Sequence, residues 1–244
     1  MQQSLDFLSP TLIGCAQDYE IPLSGRQAQM LLTHLELVLE KNKSINLTRI
    51  TQSKEALILH ILDSLLFSLV MPQENDESFR LLDMGTGAGY PGIPLAILFD
   101  NANCDLADSV GKKCQAVNEF VAELNLTDRV NTICDRVESI AKSKGSLYDV
   151  VTARAMDKLS VLLEYASPLL RYGGVLVASK GRIQNEEKEH ALQVAPLLGF
   201  GLSKTQSLEL PDGLGSRELF CFKKVSKPKI HLPRTIGAAK HKPL

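Results

Sequence analysis

The sequence predicts an α/β protein with a doubly wound, Rossmann-like sheet behind an N-terminal helical cap. From residue 79 onward, short apolar segments of strand length alternate with helical segments of about 10–15 residues, a pattern typical of a parallel sheet covered by helices on both faces. Before residue 70 the apolar residues recur at helical spacing. A glycine-rich turn follows the first strand, at the edge where such sheets bind their ligands.

The cap is predicted from two helices with recognisable starts. Ser24 suits the N-cap of a helix over residues 25–42, because its hydroxyl can accept a hydrogen bond from the first helical turn. Ser53 suits the same position in a second, more apolar helix. Within that second helix we expect His60 to be buried and hydrogen-bonded to Asp63, rather than exposed to a partner.

The sheet is predicted to contain seven strands. They are expected at residues 79–84, 103–107, 130–133, 148–152, 175–179, 202–210 and 217–223. Helices are expected between them at residues 93–99, 112–124, 136–142, 158–170 and 185–197. A polar loop at 73–78 separates cap from sheet, so the chain is expected to comprise a cap at 1–72, a sheet domain at 79–225 and a basic tail at 226–244.

Composition excludes several classes of protein. The chain has 244 residues, 44% of them apolar and 23% charged, as in ordinary globular proteins. Its five cysteines are scattered without a C-x-x-C pair, which argues against a disulfide framework or a cysteine zinc site. No apolar run approaches the ~20 residues of a membrane span, and the N-terminus lacks signal-peptide features. We expect a cytoplasmic monomer with no membrane contact and no metal.

The charges are unevenly distributed along the chain. Residues 223–244 carry a formal charge of +7 and no acidic residue, which leaves −8 for residues 1–222. A basic tail on an acidic body suggests a polyanionic partner such as nucleic acid. A solvated terminus without a binding role is the alternative interpretation.

The segment from Asp83 to Pro94 carries the clearest chemical signal. Its glycines, Gly85, Gly87 and Gly89, permit positive φ angles and let a ligand approach bare backbone. The segment matches both the dinucleotide pattern G-x-G-x-x-G and the pattern D-x-G-x-G-x-G. A carboxylate beside a pyrophosphate is unfavourable, whereas the sulfonium and ammonium of S-adenosylmethionine tolerate one. Asp83, placed near the ammonium, therefore favours S-adenosylmethionine, and a nicotinamide cofactor stays open.

Three further strand ends offer contacts to the same ligand. Asp108 follows the second strand, where a carboxylate can accept hydrogen bonds from both ribose hydroxyls. After the third strand, the backbone around Val137 and Glu138 is expected to contact the adenine edge, with an apolar contact from Val137. Arg154 follows the fourth strand and can pair with the methionine carboxylate or a substrate phosphate. A structural role is the alternative at each position.

The motifs of this chain resemble those of a known protein family. The chain is similar, over nearly its whole length, to the small-subunit ribosomal RNA methyltransferase G family, also called glucose-inhibited division protein B. Beyond the glycine pattern, the resemblance rests on Tyr-Pro-Gly-Ile-Pro at 90–94, His-Ile-Leu-Asp-Ser at 60–64 and Pro-Arg at 233–234. One difference is that alanine follows Gly237, where relatives often have proline, and this leaves only the tail conformation open.

The resemblance implies a seven-stranded class I methyltransferase sheet and methylation of N7 of a guanosine in the 530 loop of 16S ribosomal RNA, free or in a small-subunit particle. It implies S-adenosylmethionine contacts at the positions of Gly85, Tyr90, Val137, Glu138 and Arg154. Because N7 has a free lone pair, in-line attack requires no general base, and no catalytic residue of that kind is expected. The basic residues expected to contact RNA are Arg49, Lys180, Arg182, Arg234, Lys240 and Lys242.

Three other functions remain open from the sequence. The G-x-G-x-x-G overlap would suit a nicotinamide-dependent oxidoreductase, although the chain shows no second substrate domain and no convincing catalytic His, Lys or Tyr set. A nonenzymatic RNA-binding protein on the same scaffold fits the same pattern. So does a methyltransferase that acts on a protein or a small molecule.

Overall fold

The computed structural model describes residues 4–72 and 77–244. Of the loop predicted at 73–78, residues 73–76 lie outside the described residues. The predicted fold class is confirmed, because seven strands form one mixed sheet flanked by helices. Within the described ranges, no helix combines the length and the apolar character that crossing a bilayer would require.

The strands of the sheet are Phe79–Met84 (β1), Ala102–Asp108 (β2), Val130–Cys134 (β3), Tyr148–Arg154 (β4), Leu170–Lys180 (β5), Phe200–Glu209 (β6) and Ser216–Lys224 (β7). Their order is β3-β2-β1-β4-β5-β7-β6, with β1 to β5 parallel and β7 antiparallel to both neighbours. The carboxyl ends of the parallel strands therefore share one edge of the sheet. Because the strand order reverses between β1 and β4, a crevice opens at this edge.

The helices pack around the sheet and form the cap. Those of the cap are Ser9–Asp18 (α1), Gly25–Lys41 (α2), Ser53–Ala56 (α3) and Asp63–Leu65 (α4). The others are Gly92–Leu98 (α5), Gly111–Glu123 (α6), Val137–Lys144 (α7), Leu159–Ala166 (α8), Asn185–Val194 (α9) and Ala238–His241 (α10). β5 begins earlier than predicted because Leu170 pairs with Tyr148 across the sheet. Gly174 then lies inside the strand, where a Cβ would be only 2.9 Å from the Asp149 carbonyl oxygen.

Of the two serines predicted to cap the cap helices, one does so in the structure. Ser24 caps α2 as predicted, in a capping box that its hydroxyl and backbone form with Gln27. Ser53 is instead the first residue of α3, and Gln52 precedes it without a side-chain cap. Between α3 and α4, the segment Leu57–Leu62 is a π-helical turn, a rare conformation that is frequent at functional sites.

One hydrophobic core joins the cap to the sheet. Apolar side chains of α1, α2 and the π-helical turn are buried together with those of β1, β2 and α6, for example Leu35, Ile61 and Leu81. A second buried cluster lies on the other face, between the sheet and helices α7 and α8. Ala239 of the basic tail belongs to this second cluster, so the tail packs on the sheet domain.

Candidate functional site

The turn after β1 lies along the crevice. Gly85, Gly87 and Gly89 have φ angles of 70°, 60° and 93°, which residues with a side chain rarely adopt. At Gly87 an added Cβ would meet no atom closer than 3.9 Å, whereas at Gly92 it would lie 2.2 Å from Leu106 Cδ2. The turn is thus tightly packed where α5 begins and open at Gly87, where a ligand can approach the backbone.

Asp83 lies beneath this turn and is fully buried. Its Oδ2 accepts a hydrogen bond from the Gly92 N–H at 2.9 Å, and its Oδ1 accepts one from the Thr152 hydroxyl at 3.0 Å. Burial raises the pKa of Asp83 to about 6. The carboxylate therefore ties the end of the turn to β4, and its contact with a ligand ammonium stays a prediction.

Asp108 ends β2 beside the same turn. Its Oδ2 accepts a hydrogen bond from the Gly87 N–H at 3.1 Å, and its Oδ1 accepts one from the Val110 N–H at 2.9 Å. The side chain is only half-buried. Because each carboxylate oxygen has two lone pairs, Asp108 is fixed in place and can still accept hydrogen bonds from a ligand.

Tyr90 is enclosed by side chains from the cap and from β4. The His60 ring stacks on it with centroids 4.8 Å apart, and the His34 ring of α2 lies at 4.6 Å. The guanidinium carbon of Arg154 is 5.4 Å from the Tyr90 centroid. His34 Nε2 is also 3.0 Å from the Ala88 carbonyl oxygen. The cap therefore contacts the glycine turn itself.

The two histidines of this cluster are buried in the neutral form. Burial lowers the pKa of His34 to about 3 and that of His60 to about 4, and the Arg154 charge also lowers the pKa of His60. The predicted burial of His60 is confirmed, but its predicted bond to Asp63 is wrong. Its Nε2 lies instead 2.8 Å from the Thr48 hydroxyl, because the π-helical turn directs the ring toward the connector between α2 and α3.

Asp63 joins the cap to two strands. Its Oδ2 accepts a hydrogen bond from Arg154 at 3.1 Å, and its Oδ1 accepts one from Arg217 of β7 at 2.8 Å. Only 4% of the Asp63 side chain is exposed. Among the described residues, Arg154 donates hydrogen bonds only through one terminal nitrogen, which also reaches the Leu59 carbonyl oxygen, so an anionic ligand would pair with its other nitrogens. Sequence reasoning missed Arg217 and His34, since neither belongs to a local motif.

The start of α7 forms another wall of the crevice. Val137 and Glu138 are both buried there, directly after β3. Glu138 Oε1 accepts a hydrogen bond from the Gly237 N–H at 2.7 Å, so the tail covers this side chain. The backbone that is predicted to contact adenine thus lies between the sheet and the tail.

The residues that are predicted to contact RNA differ in their accessibility. Lys180 Nζ lies 2.9 Å from Glu187 Oε1, and Arg234 donates two hydrogen bonds to Glu164, at 2.7 and 2.5 Å. These two cations are engaged within the protein. The exposed members of the set are Arg49, Arg182, Lys240 and Lys242.

Solved structures with the same fold include enzymes of different chemistry. A geranyl diphosphate C-methyltransferase from Streptomyces coelicolor A3(2), in complex with S-adenosyl-L-homocysteine, aligns with a TM-score of 0.53 and 14% identity over 67% of this chain and 77% of its own. The [4+2]-cyclase SpnF aligns with a TM-score of 0.55 and 16% identity over 82% of this chain and 95% of its own. At such identities the likeness shows the class I methyltransferase fold and not the reaction.

Sequence comparison is more specific. The family model GidB, rRNA small subunit methyltransferase G, matches residues 27–217. A protein of Staphylococcus aureus (strain Newman), named ribosomal RNA small subunit methyltransferase G, is 36% identical over 229 residues, which cover 93% of this chain and 95% of the relative. S-adenosylmethionine, the cofactor predicted from the glycine turn, is confirmed by this methyltransferase family. The chain therefore belongs to the rRNA small subunit methyltransferase G family.

Proposed function

We propose that the protein transfers a methyl group from S-adenosylmethionine to N7 of a guanosine in the 530 loop of 16S ribosomal RNA. The family name supports methylation of small-subunit ribosomal RNA, and the choice of nucleotide rests on the family resemblance. One observation carries the proposal. In a chain of this family, an open glycine turn lies at the point where the strand order of the sheet reverses.

The residues of the crevice fit the chemistry of S-adenosylmethionine. Gly87 has open space where a side chain would stand, and Asp108 offers carboxylate oxygens to ribose hydroxyls. Val137 provides an apolar wall for adenine, and the Arg154 nitrogens that donate to none of the described residues suit the methionine carboxylate. Asp83 holds the end of the turn, and it is proposed to lie near the methionine ammonium. The other residues that we propose to contact the cofactor, or to support those that do, are Gly85, Gly89, Tyr90 and Glu138.

The mechanism requires placement rather than proton transfer. When bound, the cofactor supplies an electrophilic methyl group on its sulfonium. Guanine N7 carries a free lone pair, so the protein has no proton to remove before the attack. The walls of the crevice hold N7 in line with the methyl group and exclude water. His34 and His60, which are neutral and buried around Tyr90, give one wall a fixed shape.

RNA reaches this crevice over a rim of basic side chains. Arg49 lies on the connector that Thr48 ties to His60. Arg136 precedes α7 and Arg182 follows β5, and all three arginines are exposed. Arg136 and Arg182 follow the carboxyl ends of β3 and β5, so we infer that their charges, with that of Arg49, border the crevice. Phosphate contacts of this kind supply affinity and orientation without reading the base sequence.

The test is transfer of a labelled methyl group from S-adenosylmethionine to 16S ribosomal RNA and to small-subunit particles, followed by mapping of the labelled base. We expect a single N7-methylguanosine in the 530 loop. A label at another base would reject the proposed target. Binding of RNA without any transfer would favour the nonenzymatic scaffold, and a preference for NAD would favour the oxidoreductase. Sedimentation of the same protein tests the proposed monomer.

A matched pair of glycine variants connects this activity to the turn. Gly87→Ala places a methyl group on the open side of the turn at a φ of 60°, so we expect it to abolish S-adenosylmethionine binding and transfer. Gly14→Ala in α1, where an added Cβ meets no atom of the described segments within 4 Å, should retain both binding and transfer. Normal cofactor binding by Gly87→Ala, measured by calorimetry, would show that the cofactor lies elsewhere.

A further inference from the structure

The C-terminal tail follows a defined path over the sheet domain. After β7, the backbone N–H groups of Val225 and Lys229 donate hydrogen bonds to carbonyl oxygens just before β6. Ile230 and Leu232 then pack against the core cluster of α7 and α8, and Ala239 is buried in it with 2% exposure. The tail is therefore a folded strap that leads from the end of β7 to the start of α7.

Two buried carboxylates hold this strap. Glu164 of α8, with 4% of its side chain exposed, accepts hydrogen bonds from Arg234 Nε at 2.7 Å and from a terminal nitrogen of Arg234 at 2.5 Å. Glu138 of α7, with 6% exposure, accepts the Gly237 N–H at 2.7 Å. A buried carboxylate without a partner is strongly unfavourable. Loss of the Arg234 guanidinium would therefore leave Glu164 unpaired and release the strap near Glu138.

The second anchor lies inside the proposed cofactor site. Glu138 occupies the first turn of α7, next to Val137, which is proposed to contact adenine. α7 has only eight residues, and its N-cap Arg136 makes no side-chain capping bond. The strap therefore supplies a restraint on the first turn of α7 that the helix lacks by itself.

We propose that Arg234 is a positioning residue for the cofactor site. Its pairing with Glu164 seats Gly237 on Glu138, and this contact holds the first turn of α7 in the geometry that adenine needs. The inference rests on the proposed function and replaces the expected role of Arg234 as a phosphate contact. Contact with RNA is left to exposed cations of the strap, such as Lys240 and Lys242.

The experiment compares two substitutions on the same strap. Arg234→Gln removes the guanidinium, and Lys227→Gln removes one positive charge from an exposed position as the matched control. Calorimetry measures the Kd for S-adenosylmethionine, and filter binding measures the salt dependence of 16S ribosomal RNA affinity. We expect Arg234→Gln to raise the cofactor Kd about tenfold, which equals about 1.4 kcal/mol, and to leave the salt slope unchanged. Lys227→Gln should leave the cofactor Kd unchanged.

Two more variants separate positioning from folding. Arg234→Lys keeps the charge but not the paired hydrogen bonds, so we expect an intermediate cofactor Kd. The double variant Arg234→Gln/Glu164→Gln removes the unpaired buried charge, so it folds even where the single variant does not, and it should show the same weak cofactor binding.

The outcomes distinguish this inference from the proposed function. An unchanged cofactor Kd in Arg234→Gln and in the double variant would overturn the positioning role alone. If Arg234→Gln binds the cofactor normally but its RNA affinity depends less steeply on salt, by about one released ion, Arg234 is a phosphate contact after all. Absence of S-adenosylmethionine binding by the wild-type protein would reject the proposed function and, with it, this role.

Discussion

Replacement of Asp63 by asparagine tests how the cap is joined to the sheet. Asp63 accepts hydrogen bonds from Arg154 at 3.1 Å and from Arg217 at 2.8 Å, with 4% of its side chain exposed. Asparagine has nearly the same size, but it is neutral and must turn its NH2 group toward one of the guanidinium groups. Two positive charges then lie close together without a counter-charge.

The size of the effect follows from the burial of these groups. Removal of one member of a buried ion pair costs about 3–5 kcal/mol. The two arginines remain partly solvated, with 14% and 17% of their side chains exposed, and Arg154 keeps its bond to the Leu59 carbonyl oxygen. We therefore expect the lower end, a decrease of about 3 kcal/mol in the free energy of unfolding. For a chain of this length, the melting temperature should fall by about 6–12 °C.

Urea unfolding and thermal melts measure this change, with Arg217→Met as the matched control. That control leaves Asp63 paired with Arg154, so it should destabilise the protein less. In the double variant Asp63→Asn/Arg217→Met, only one guanidinium lacks a counter-charge. The decrease in its free energy of unfolding should therefore be smaller than the summed decreases of the two single variants by about 1 kcal/mol or more. A loss below about 1 kcal/mol for Asp63→Asn, or strictly additive losses, would refute the reasoning.

Two further perturbations test the crevice. Gly92→Ala places a Cβ 2.2 Å from Leu106 Cδ2, so we expect weaker S-adenosylmethionine binding and a decrease of about 2 kcal/mol in the free energy of unfolding, measured in urea. The control Gly181→Ala, whose added Cβ would have no atom of the described residues within 4 Å, should change neither quantity. Acidification should destabilise the protein, because unfolded histidines take up protons near pH 6.5 while the folded pKa values of His34 and His60 are about 3 and 4. The Asp83 carboxyl, whose pKa burial raises to about 6, takes up a proton in the folded state. This proton offsets one of the two that the histidines take up in the unfolded state. Stability should therefore decrease by about 1.4 kcal/mol per unit as the pH falls from 6 to 5, and equal stability in urea at both pH values would contradict neutral buried histidines.

The amino-acid sequence by itself determined the sheet and the glycine turn. Helical and strand periodicity and the need for glycine at positive φ depend on neighbours along the chain. The predicted ranges of β1 to β4 consequently agree with the observed ones within two residues. The family motifs are also contiguous, so the cofactor class could be inferred before any contact between distant segments was known.

Only the tertiary structure decided which charged groups are held by partners within the fold. Asp83 is paired beneath the turn, Arg234 is held by Glu164, and Asp63 bonds Arg217, which lies 154 residues away in the chain. A buried charge requires a partner, and that partner is whichever group the packing of cap, sheet and tail brings within hydrogen-bond distance. Such distances are not a property of sequence spacing, so a residue counted as a free cation in the sequence can be neutralised in the fold.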